Sequence, residues 1–111
     1  MRGEPQVPAG AALVVLSSGG YELARRLAAV LPGARVHGLA GRADGADEAF
    51  TEATPHLRRL FAEGVPIVGV CAAGILVRAL APVLGDKRAE PPVVAVAEDG
   101  SAAVPLLGVH A

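Results

Sequence analysis

The sequence predicts an α/β fold in three layers: a mostly parallel sheet with helices on both faces and an antiparallel hairpin at its C-terminal edge. Three observations predict it. Short apolar runs alternate with stretches whose apolar residues recur at helical spacing, the order expected of strand–helix–strand units. Ala11–Leu16 and Val65–Val70 are continuously apolar rather than alternating, as strands covered on both faces are. Finally, Asp99-Gly100 separates two apolar runs and signals a tight hairpin.

Met1–Gly10 carries two prolines and little apolar character, and reads as a flexible arm. Ala11–Leu16 is the first strand. Ser17-Ser18-Gly19-Gly20 is the turn after it, with either serine placed to cap the helix Tyr21–Leu31. That helix turns Leu23, Leu27, Val30 and Leu31 one way and Glu22, Arg25 and Arg26 the other, and Pro32-Gly33 stops it. Ala34–Leu39 is a second, weaker strand. Gly41–Glu48 has turn composition throughout and is expected to be the least ordered interior stretch.

Thr54-Pro55 opens the next helix, with Thr as cap and Pro in the first helical position, and Gly64 ends it. Val65–Val70 is the third strand and delivers Cys71 to its carboxyl end. Gly74–Leu80 is helical, and Pro82 forces a kink or a restart because it lacks the amide hydrogen. Val93–Ala97 is the fourth strand. Ala102–Leu107 returns antiparallel, and Pro105 confines it to an edge.

With 111 residues the chain is one domain over 11–111. It is 52% hydrophobic but only 3% aromatic, so its core is made of Ala, Val, Leu and Ile. A net charge of -1 offers no field for nucleic acid or an anionic membrane, and the lack of aromatics removes the stacking that single strands need. The single cysteine excludes an intrachain disulfide and fits a reducing, cytoplasmic setting.

Ligands of parallel sheets bind beyond the carboxyl ends of the strands, which nominates Ser17–Gly20 after the first strand, with Ser18, Gly19 and Gly20 as the expected contacts, and Cys71, Ala72, Ala73 and Gly74 after the third. The first turn matches neither nucleotide-binding glycine pattern, so no cofactor is expected. Cys71 stands where a helix dipole lowers a thiol pKa, in a context similar to a nucleophile elbow, although the second glycine arrives one residue late. The competing reading is a small cysteine packed in a tight corner. Arg78, Lys87 and Arg88 form a local basic group suited to carboxylates. Against that, Arg78 has Asp86 at hand as an ion-pair partner. His37, His56 and His110 show no metal-ligand spacing, so no metal is expected.

Gly74-Ile75-Leu76-Val77-Arg78-Ala79-Leu80-Ala81-Pro82, Asp86-Lys87-Arg88, Pro91, Val93-Val94, Glu98-Asp99-Gly100 and Val104-Pro105-Leu106-Leu107 followed by His110 resemble the CbiG N-terminal domain family of cobalamin biosynthesis. The opening strand, glycine turn and helix resemble the family's beginning as well. The resemblance implies hydrolytic opening of the ring-A δ-lactone of cobalt-precorrin-5A with release of acetaldehyde, or a module fused to a precorrin-3B C-17 methyltransferase. A non-catalytic corrinoid-binding or docking module is the alternative.

The implied partners are a corrinoid intermediate and a downstream domain of the same polypeptide, of which this chain is expected to be a fragment. The implied base is His110. Amides of Ala72–Gly74 are the implied oxyanion donors, and Arg78, Asp86, Lys87 and Arg88 the implied contacts to the substrate's acidic arms. Val109 stands where the family has glycine. The apolar edge Ala102–Leu107 is expected to face a dimer partner or another domain.

Overall fold

A computed structural model describes residues 9–85 and 90–108. The expected arm falls almost wholly outside them, as do Asp86, Lys87, Arg88 and His110. The described chain forms strands β1 (Ala12–Val15), β2 (Arg35–Leu39), β3 (Glu48–Phe50), β4 (Ile67–Val70), β5 (Val93–Val96) and β6 (Ala103–Leu107), with helices α1 (Tyr21–Val30), α2 (Ala53–Ala62) and α3 (Ala73–Leu80). The sheet order is β3-β2-β1-β4-β5-β6. All neighbours are parallel except β5 and β6, whose antiparallel ladder has an irregularity between Val93 and Val94. Pro105 lies on the edge strand β6, where a missing donor breaks no ladder on the outer side.

The period of two along the strands divides the core between the faces. Ala12 and Val14 of β1, Ile67 of β4, and Val93 and Ala95 of β5 meet Leu57, Leu60, Leu76 and Leu80 of α2 and α3. Leu13, Val15, Val36, Val68 and Val70 point the other way, onto Ala24, Leu23 and Leu27 of α1. Helices therefore cover both faces, and β1 and β4 are buried at every residue.

The stretch expected to be turn only, Gly41–Glu48, is more structured than its composition suggests. Its end enters β3, which pairs with β2 from His37↔Glu48 to Leu39↔Phe50. Asp47 explains the order: its carboxylate accepts the Val36 amide at 2.8 Å and pairs with Arg25 of α1 at 3.2 Å. That amide bond, with the Arg25 guanidinium beside it, holds the Asp47 carboxyl below the usual carboxylate range. Tyr21 and Arg25 each donate to the Gly45 carbonyl at 2.8 Å, so one helix face fastens the loop.

Two expected caps are absent. α2 starts at Ala53 after Glu52, with no side-chain cap, and Thr54 lies inside its first turn. Neither serine caps α1 either, because a 3-10 turn over Ser18–Gly20 intervenes. At Pro82 the helix gives way to a 3-10 turn, Ala81–Val83, which is the expected restart.

Gly38 sets how closely the loop packs on β2: a Cβ there would lie 2.2 Å from the Ala43 carbonyl oxygen, a backbone atom that moves only with the loop. Gly38→Ala is expected to destabilise the fold by about 1–3 kcal/mol, the usual overpacking range. Urea unfolding of the variant and the parent measures it, and an unchanged midpoint contradicts the account.

Candidate functional site

β1, β4 and β5 are adjacent, and their carboxyl ends open onto a crevice of about 550 Å³. Leu16 and Ser17 follow β1, Cys71 and Ala72 follow β4, and Ala97 and Glu98 follow β5, all contributing walls. Ala73 and Ile75 of α3 and Val104 of β6 close the remaining side. Apart from the Cys71 thiol, Ser17 and Glu98 bring the only polar side chains among these lining residues. The Ser17 hydroxyl donates to Oε2 of Glu98.

The structure sorts the expected residues by place. Cys71, Ala72 and Ala73 line the crevice, whereas Ser18 and Gly19 face solvent on the turn beside it. Gly19 and Gly20 act through what they lack. A Cβ on Gly19 would lie 2.8 Å from Oε1 of Glu98, and one on Gly20 would lie 2.9 Å from a Val70 methyl. Gly74 sits in the first turn of α3, whose start has no side-chain cap. In that turn the Ile75 amide donates to the Ala72 carbonyl at 3.1 Å, whereas the amides of Ala73 and Gly74 have no intrahelical carbonyl to reach and are open to an oxyanion. Arg78 is exposed and folds back along α3, so that a Cβ on Gly74 would lie 3.9 Å from its Nη2.

Sequence reasoning reached Ser17 through its turn but named Ser18 there as the contact, and it missed Glu98, passed over as part of a turn. The signal for Glu98 was positional: like Ser17, it stands just beyond the carboxyl end of an apolar strand. Only the strand order shows that those two strands flank β4.

The dipole argument for Cys71 is overturned. Burial, and after it the nearby Glu98 charge, pushes the thiol up to about 11, so it is a packed thiol rather than a ready nucleophile. In the native protein near pH 8, Cys71 should react with iodoacetamide roughly 100-fold more slowly than in urea, given a free-thiol pKa near 8.5. Equal rates in mass-spectrometric labelling contradict this.

The two described histidines form a separate structure near β3. Arg59 Nη2 lies 3.1 Å from Nδ1 of His56, and Nε2 of His56 lies 2.9 Å from Nδ1 of His37. A guanidinium only donates, so Nδ1 of His56 accepts and its Nε2 hydrogen points at His37, with both rings neutral. Phe50 stacks on His56 at 4.3 Å. Burial pushes both imidazoles below their usual range, with the neighbouring ring and Arg59 adding to the effect at His56. Among the described residues no group of three or more His, Cys, Asp or Glu is placed to hold a metal ion.

A histidine whose folded pKa is depressed leaves the unfolded chain binding more protons below its own pKa, so stability is lost as pH falls. Unfolding free energy should therefore decline from about pH 7 towards pH 5, starting near the unfolded value of about 6.5. Denaturant titrations across that range should show a shallower decline once His37→Leu and His56→Leu are combined.

Residues 55–111 match the family model described as "Cobalamin synthesis G N-terminal". Over 107 residues, 94% of the chain, the sequence is 36% identical to a protein of Salmonella typhimurium named "Cobalt-precorrin-5A hydrolase". The chain spans 30% of that protein's length. No solved structure matches.

Proposed function

Since the chain belongs to the cobalamin synthesis G N-terminal family, we propose that it is the amino-terminal part of an enzyme that opens the ring-A δ-lactone of cobalt-precorrin-5A in cobalamin biosynthesis. The observation that carries this reading is the identity of 36% along 94% of the chain with a relative named for that hydrolysis. Nothing observed favours the methyltransferase fusion. Among the described residues no helix is long and apolar enough to cross a membrane.

The crevice suits the chemistry. Lactone opening needs an activated water, donors for the oxyanion and groups that hold the rest of the substrate. The first-turn amides of α3 are the proposed donors, at the end of the strand that carries Cys71. Leu16, Ile75, Ala95 and Val104 give apolar surface to the macrocycle. Arg78 on the described part of α3, with Lys87 and Arg88 by sequence, is proposed to meet the acidic arms of the corrinoid. His110 is proposed as a proton-transfer group of the reaction. The exposed β6 edge fits a surface for a downstream domain or a second copy.

Adding cobalt-precorrin-5A should shift the corrin absorbance and release acetaldehyde. Arg78→Ala should weaken binding by about tenfold, as the loss of one charge-assisted contact does. His110→Ala should abolish acetaldehyde release while leaving the absorbance titration intact. Full release by that variant removes His110 from the reaction, and binding without any turnover by the unaltered protein leaves a corrinoid-binding module.

A further inference from the structure

Among the described residues that line the crevice there is one carboxylate, Glu98, and the fold decides where it stands. β1 and β5 lie on either side of β4, so Ser17 and Glu98, 81 positions apart, meet beyond the end of the strand between them. Oε2 of Glu98 accepts from the Ser17 hydroxyl. Oε1 occupies the space that a side chain on residue 19 would need, 2.8 Å from where its Cβ would be. Gly20 contributes in the same way, because its Cβ would lie 3.4 Å from Cγ of Glu98. Two consecutive glycines thus leave room for a carboxylate whose side-chain donor, among the described residues, is a neutral hydroxyl.

Salt bridges among the described residues involve Arg25, Arg35 and His37, and none reaches Glu98. A carboxylate paired with Arg or Lys is a poor proton acceptor, whereas one held by a hydroxyl keeps lone pairs for a second donor. Around it, Leu16, Ile75, Ala95 and Val104 offer no other acceptor side chain. Cys71 stays a neutral thiol there and does not compete for the substrate carbon.

We propose that Glu98 is the general base that activates the lactone-opening water, with Ser17 as its positioning residue. This rests on the lactone-hydrolase reading. As the water oxygen bonds to the acyl carbon, one of its protons passes to Glu98. The oxyanion so formed faces the first-turn amides of α3. Its collapse breaks the bond between the acyl carbon and the ring oxygen, and that oxygen takes the proton from Glu98. One lactone and one water become one hydroxy acid, and the carboxylate is restored. His110 is then left for the later loss of the two-carbon unit.

The test is steady-state kinetics of lactone opening with cobalt-precorrin-5A, using the full-length protein. Glu98→Gln keeps shape and removes charge, and it should lower kcat by about 100-fold or more with KM changed less than about threefold. Ser17→Ala should lower kcat by about tenfold, and the double variant should be no worse than Glu98→Gln within about twofold, because the pair acts as a unit. Glu98→Gln retaining more than about a tenth of kcat, or strictly additive losses, overturns the proposal.

If Glu98→Gln also lowers the melting temperature, Glu98→Asp decides. It keeps the charge and should recover part of the rate, whereas equal loss in both variants overturns the base assignment. An unaltered protein that binds the substrate without opening it overturns the hydrolase reading and the base with it. An active parent with a fully active Glu98→Gln overturns the base alone.

Discussion

Pairing of β1 along both of its edges is the constraint on which the rest of the structure depends. Leu13 lies between Val36 of β2 and Val68 of β4 in parallel register, and the whole strand is buried. From β1 the chain first moves outward through α1 to β2. It later returns past β1 through α2 to β4. Parallel crossovers are right-handed, so steps in opposite directions along the sheet place their helices on opposite faces. This is why α1 packs against one half of the core and α2 and α3 against the other. The loops leaving β1 and β4 therefore diverge, and the crevice between them is the space they vacate.

The strands with both faces covered and the terminal hairpin were legible in the sequence, whereas the helix caps were not. β1 and β4 announce themselves as unbroken apolar runs because both of their faces are covered, and Asp99-Gly100 marks the hairpin between β5 and β6. β3 was hidden because only Phe50 of its three residues is buried and it pairs along one edge. What fixes it is Asp47, reaching back to the Val36 amide and across to Arg25, a tertiary arrangement with no local signature. The missing serine caps have a related cause. A serine after a strand is available both to a helix start and to whatever neighbouring strand ends beside it, and here the Glu98 carboxylate has the Ser17 hydroxyl.

The crevice was legible in outline and not in its chemistry. Rules for parallel sheets pointed to the turns after β1 and β4, and Cys71, Ala72 and Ala73 are indeed in its walls. They gave no reason to add a residue after β5, because sequence alone does not say which strand lies beside β4. Once β5 is known to be there, Glu98 follows, and so does the state of Cys71: the thiol that a helix start would acidify is instead kept protonated by burial and by that carboxylate. Residues that look independent along the chain act on one another through strand order.

Small side chains give the crevice its character. Ala72, Ala73, Ala95, Ala97 and Ala102 supply much of its wall, so its breadth reflects side chains that are short. Glu98 at its rim is exposed, so water and salt temper its field and it acts chiefly on groups placed close to it. An anionic group is opposed by Glu98 inside the crevice but attracted by Arg78 on the exposed face of α3. The two charges would sort a ligand by its parts, with acidic arms outside and an uncharged arm within. On the proposed reaction that sorting has a direction. A lactone is neutral and its hydrolysis product is a carboxylate, so the site that admits the substrate arm repels the same arm once it has been opened. A base left negative after each turnover would then also favour departure of the product.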